Sequence, residues 1–203
     1  MKRNYIITNS GRLVSPDEGV PSIEDIALSL SRQPRFGGMT RRWWSVLDHS
    51  LFVEHLARIE GQSPATRLAC LLHDAHEFTG DIPTHFKTGE QRELQAKLDK
   101  RIAAEFGVRH DDLLDKRVAK YDHRALLAEA EVVGPPMLVD AQAVHEHFGA
   151  VATASDVELL RRAFAERVVG SSPAQLYLQL GARNVRRFLA QYNQLTKEMR
   201  CSS

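Results

Sequence analysis

The chain has little of several things that usually decide a protein's class. Only two of its 203 residues are cysteine. Cys70 sits in an apolar stretch and Cys201 near the end, so they are poor disulfide partners, and a reduced, cytoplasmic setting is expected. Excess charge is almost absent, since 27 basic and 26 acidic residues leave a formal net charge of +1. That balance gives no bulk attraction to nucleic acid or to an anionic membrane, so an anionic ligand must be held by local cations. No stretch approaches the ~20 apolar residues of a spanning helix, and the first eight residues lack the apolar core of a signal peptide. Repeats, low-complexity tracts and linkers are also missing, so one domain over residues 1–203 is expected. Against these absences stand 43% hydrophobic residues, enough for one core, and nine histidines.

The hydrophobic pattern is mostly helical. Asn9-Ser10-Gly11 predicts a small hairpin pairing Tyr5–Thr8 with Arg12–Val14. Ser22, with Asp25 three residues on, forms a capping box for a first helix that Pro34 ends. Arg35–Trp44 reads as a loop. A second helix spans Ser45–Ile59. Ser63-Pro64 opens a third, expected to run to about Thr79 in the middle of a bundle. Leu94, Leu98, Ile102 and Phe106 mark a helix over 91–106 that Gly107 stops. Another is read over 111–132, with Leu114, Val118, Tyr121, Ala125 and Ala128 on its apolar stripe and Gly134-Pro135-Pro136 breaking it. A short helix is expected at Ala141–Phe148. Ser155–Glu158 reads as a capping box for a helix to about Val169, and Ser172-Pro173 opens the last one. Leu176, Leu180, Phe188 and Leu195 are its expected core contacts, with Gly181 as a kink. The fold class is therefore all-α: a helical bundle with a small N-terminal β-hairpin. The motif-bearing core spans 22–133, and C-terminal helices over 155–198 pack on it.

The chemistry lies in residues 68–83, where an apolar run ends in His73-Asp74, then Glu77, then Gly80-Asp81-Ile82-Pro83. Adjacent helical residues point ~100° apart, so an imidazole nitrogen and a carboxylate oxygen can lean toward one point. Such a pair suits a divalent cation, but two ligands are too few. His49, on the second helix, and Asp122, on the stripe of the later helix, complete a candidate set. A carboxylate at Asp122, on a buried face, needs a cation or a strong hydrogen-bond partner. Glu77 lies three and four residues beyond the pair, one turn along on their face, where it can take or give a proton. Asp81 can orient Glu77 or a water.

The pattern His49…His73-Asp74…Asp122 resembles the signature of the HD-domain metal-dependent phosphohydrolases. The contexts match too: Arg35-Phe36-Gly37-Gly38, Trp44-Ser45-Val46 before the first histidine, and His73-Asp74-Ala75-His76-Glu77 followed by Gly80-Asp81-Ile82-Pro83 and Lys87. They are similar to a subgroup containing bacterial 5′-deoxynucleotidases and phage deoxynucleoside triphosphohydrolases. The resemblance covers roughly residues 5–130. It implies His49, His73, Asp74 and Asp122 as ligands of a divalent metal (zinc, cobalt, manganese or magnesium), and Glu77 as general acid/base. Arg35 would clamp phosphate with help from Lys87, and Phe36 would sort base or sugar. The sequence departs from relatives at Asp48, at His85 and at Phe36, where the best-studied relatives have tryptophan. The implied activity is hydrolysis of a phosphate ester of a deoxynucleoside mono- or triphosphate. A wider rim of Arg41, Arg42 and Lys87 would favour the triphosphate. The alternatives are a phosphodiesterase of the same class and a non-catalytic nucleotide-binding homologue. A small-molecule nucleotide substrate and a homo-oligomer are implied; membrane and nucleic-acid partners are not expected.

Overall fold

The computed structural model describes residues 5–83, 86–134, 153–165 and 173–201. Two strands, β1 (Ile6–Ile7) and β2 (Leu13–Val14), pair antiparallel with Ile6 opposite Val14 and Ile7 opposite Leu13. Four paired residues cannot hold a hairpin alone. The turn is tied instead to the first helix, α1 (Ile23–Leu30), where the Ser10 N–H and hydroxyl donate to Asp25 at 2.9 and 2.5 Å. Asp25 is also the capping-box partner of Ser22, as expected, so one carboxylate starts the helix and anchors the hairpin.

After α1 the chain closes a neck. Arg35 N–H donates to the Trp44 carbonyl at 2.9 Å and Val46 N–H to that of Gln33 at 3.0 Å. The loop between is not structureless. It contains a 3₁₀ turn at Arg35–Gly38, in which Phe36 adopts a left-handed φ of 55°. Helix α2 (Val46–Ile59) begins with a second capping box, Ser45 and Asp48. Helix α3 (Pro64–Leu72) begins at Ser63, whose side chain accepts the Thr66 N–H, with proline in its first turn. Every residue from Leu68 to Leu72 is buried. α3 is enclosed by α2, by α6 (Lys116–Val132) and by the last helix, α8 (Pro173–Cys201).

The helix through His73 is shorter than the expected one. It stops at Leu72, and a 3₁₀ turn, Ala75–Thr79, replaces its last two turns. His73 Nδ1 donates to the Cys70 carbonyl at 2.8 Å, the acceptor a continuing helix would give to the Asp74 N–H. Helix α4 (Gly89–Phe106) is capped by Thr88 and Gln91 and ends at Gly107 in the left-handed region. The helix expected over 111–132 is two, α5 (His110–Leu113) and α6. Asp115 accepts the Arg117 N–H and starts a new helix, which leaves Leu114 65% exposed rather than on the stripe. Val118, Tyr121, Ala125 and Ala128 are buried as expected.

Helix α7 (Ala154–Ala165) packs on α6 and is capped two residues earlier than expected. Thr153 Oγ1 accepts the Asp156 N–H while Asp156 accepts the Thr153 N–H, so Thr153 and Asp156, not Ser155 and Glu158, make the box. α8 runs unbroken through Gly181, buries Phe188 and Leu195, and packs on α1, α2 and α3. The side chains of Leu176 and Leu180, and the segment 141–148, lie outside the described residues. The described part is thus all-α with one small hairpin. Among the described residues, no helix is long and apolar enough to cross a membrane.

Candidate metal centre and cleft

Three helices meet at one point. His49 comes from the first turn of α2, His73 and Asp74 from the end of α3, and Asp122 from the second turn of α6. His49 Nε2 lies 3.3 Å from His73 Nε2, 3.0 Å from Asp122 Oδ1 and 3.6 Å from Asp74 Oδ2. His73 Nε2 lies 3.2 Å from Asp74 Oδ2 and 3.7 Å from Asp122 Oδ1. Neighbouring ligands of a cation bound at about 2.1 Å stand about 3.0–3.5 Å apart. His49, His73 and Asp74 thus form a group that could hold a metal ion, and Asp122 faces it across both imidazoles. Asp122 does not sit on a fully buried face, as its side chain is 42% exposed, so it closes the site from the solvent side.

The far nitrogens explain why the near ones face inward. His49 Nδ1 pairs with Glu129 Oε1 at 2.8 Å and His73 Nδ1 with the Cys70 carbonyl at 2.8 Å. With those protons committed, both Nε2 atoms present lone pairs to each other and to two carboxylate oxygens. Four electron-rich atoms at such distances call for a positive charge among them. Without a cation, the imidazoles supply it. Burial opposes charge on His73, yet Asp74 and Asp122 raise its pKa well above the usual histidine value. Burial would raise Asp122, but hydrogen bonds to His49 and His73 hold it well below the carboxylate range. A divalent cation held there would have to displace those protons.

Beside this centre opens a cleft of about 380 Å³. Glu77 borders it, carried there by the bend after Asp74 rather than by one more helical turn. Burial, reinforced by Asp74 and Asp81, raises the Glu77 pKa to about 9. Its Oε2 is enclosed without a hydrogen bond, and its Oε1 is 3.7 Å from Lys87 Nζ. Lys87 also donates to Gln95 Oε1 at 3.0 Å, which holds its ammonium at the cleft wall. Asp81, likewise raised by burial, lines the same wall with Ile82 and Pro83. Gln33 fastens this segment to the end of α1. Its Nε2 donates to the Glu77 carbonyl at 2.9 Å, and its Oε1 accepts the Asp81 N–H at 3.1 Å.

Arg35 and Phe36 form the opposite lip. The Arg35 side chain is 12% exposed, with its guanidinium 5.6 Å from the Phe36 ring centroid and Nη1 3.9 Å from Asp74 Oδ2. Burial works against its charge, but Glu129 and Asp74 more than compensate and raise its pKa. His49, His73, Asp74 and Asp122 thus form the centre, and Arg35, Phe36, Glu77, Asp81 and Lys87 border the cleft. Arg41 does not. Its Nε and Nη2 donate to the carbonyls of Gly134 and Glu131, so it caps the end of α6 and is no part of an anion rim. His76 is buried, with Nδ1 2.9 Å from Asp99 Oδ1. His85 lies outside the described residues. Asp48 is a structural residue here: it caps α2 and accepts from Asn184 of α8 at 2.5 Å.

Sequence reasoning missed Glu129 and Gln33. Glu129 follows Asp122 by seven residues, two turns along the same face, and an acid at that spacing was the readable signal. Gln33 carried none, since its role depends on a turn far away in the chain. No protein-family model matches the chain, and a search of curated proteins finds no match.

Proposed function

We propose that this protein is a metal-dependent phosphohydrolase of the HD class that acts on deoxynucleotides. The observation that carries the reading is a single cleft joining the four-ligand cluster to an enclosed acid, Glu77, and two cations, Arg35 and Lys87. When bound, a divalent cation would polarise a phosphoryl group and lower the pKa of an attacking water. His49, His73, Asp74 and Asp122 would hold it. Arg35 receives phosphate oxygens in charge-assisted hydrogen bonds, and Lys87 adds a second positive group. Glu77, whose pKa of about 9 leaves it protonated at neutral pH without a cation, exchanges the proton at its Oε2. Phe36 offers an apolar face to base or sugar. A cleft of about 380 Å³ falls in the usual range for small-molecule sites. We extend the proposal to a cytoplasmic setting, in keeping with two free cysteines, and to a homo-oligomer on the resemblance alone.

The test is to measure metal content, then to incubate the loaded protein with the four common deoxynucleotides as mono- and triphosphates and identify the products. Release of phosphate or of triphosphate, abolished by Glu77→Ala, is expected. Nucleotide binding without product, unaffected by Glu77→Ala, would sink the enzyme reading.

A further inference from the structure

Glu129 is the most enclosed acid in the described structure that the proposed chemistry does not consume. It is fully buried, on the face of α6 that carries Asp122 two turns earlier. Its two oxygens serve different neighbours. Oε1 lies 2.8 Å from His49 Nδ1, which fixes the imidazole with Nε2 toward the other three ligand atoms. Oε2 faces Arg35 Nε at 3.5 Å, and neither of these two enclosed atoms completes a hydrogen bond. Both carry charge, of opposite sign, so each is the other's natural partner. Contact through Nε also keeps that bond off the Nη groups, of which Nη1 lies 3.9 Å from Asp74 Oδ2.

We propose that Glu129 is a positioning residue that locks His49 and Arg35 into one unit, so that a single buried carboxylate sets both cation and phosphate affinity. The inference rests on the phosphohydrolase reading for the role of Arg35. Replacement by glutamine keeps the volume and an acceptor for His49, but removes the charge that faces Arg35. Glu129 does not line the cleft, so its effect on cation and anion binding would pass through His49 and Arg35.

The experiment measures cobalt binding and inorganic phosphate binding separately by calorimetry at 25 °C. The proteins are wild type, Glu129→Gln, Arg35→Ala and the double variant. Glu129→Gln should weaken cobalt binding about 10- to 100-fold, as changes behind a metal-binding histidine do. On cobalt-loaded protein it should weaken phosphate binding about tenfold. In the Arg35→Ala background it should still weaken cobalt but no longer phosphate. Glu54→Gln is the control, because Glu54 is a buried acid of α2 with its own partner, Arg67, away from the cleft; it should leave both affinities unchanged. Should Glu129→Gln fail to fold, Glu129→Asp keeps the charge but withdraws it by one methylene, and should weaken the same two affinities. Cobalt affinity within twofold of wild type, or an equal phosphate loss with and without Arg35, would overturn the proposal. Neither readout needs turnover. Loss of both affinities without any nucleotide hydrolysis defeats the phosphohydrolase reading alone, whereas hydrolysis with both affinities intact defeats the role of Glu129 alone.

Discussion

Glu77→Gln should make the cation-free protein more stable and the loaded one nearly inactive. The carboxyl is buried against Asp74 and Asp81, and its pKa rises to about 9 from a usual 4.5. The folded protein therefore holds a proton that the unfolded chain gives up between those values. Stability that is fully present below pH 4.5 is lost progressively as pH climbs toward 9. At pH 7.5, the cost has a ceiling of about 4 kcal/mol, from three units at roughly 1.4 kcal/mol each. Water entry and relaxation around the cleft reduce it, so about 1–3 kcal/mol is expected. Glutamine imitates the protonated acid and does not titrate, so the variant escapes this cost. Urea unfolding in the presence of a chelator, at pH 5 and at pH 7.5, measures it. The two proteins should nearly coincide at pH 5 and diverge at pH 7.5, with the variant more stable. Turnover by the metal-loaded variant should fall about 10²- to 10⁴-fold. A variant no more stable at pH 7.5 than at pH 5, relative to wild type, would refute the account of Glu77 as an acid held neutral by burial.

Arg41→Ala should lower stability by about 1–2 kcal/mol through loss of the carbonyl contacts that end α6, while phosphate affinity measured by calorimetry stays unchanged. Phe36→Gly should be more stable than Phe36→Ala by about 1 kcal/mol in thermal unfolding, reversing the usual order, because only glycine occupies a φ of 55° without strain. Both should raise KM for a deoxynucleotide. Gln33→Leu should cut kcat more than metal affinity, because it frees the backbone of Glu77 and Asp81 without touching a ligand; metal titration alongside steady-state kinetics separates the two.

The elements legible in the sequence were those specified by near neighbours. Ser22 with Asp25, Ser45 with Asp48, Ser63-Pro64 and Gly107 each mark a helix end through groups within four residues. The same is true of the stripe Val118, Tyr121, Ala125 and Ala128, which needs only the helical period. The errors have local causes too, but ones in which two signals compete. Asp115 caps a helix inside an apparently continuous pattern, and Thr153 outcompetes Ser155 by meeting Asp156 in both directions.

By itself, then, the sequence determined an all-α chain with most of its helix starts, and a short set of acids and histidines that could hold a cation. Only the tertiary structure decided how they meet. It ended α3 at Leu72, because the His73 ring takes the Cys70 carbonyl, and so swung Glu77 to the cleft on a tighter turn. It turned Arg35 inward and Arg41 away, although both are arginines of one loop. It also put Glu129 behind His49. Periodicity and capping act over a few residues and are written along the chain. The distance between His49 and Asp122 depends on how α2 and α6 pack against α3, and packing is a property of all the buried side chains together.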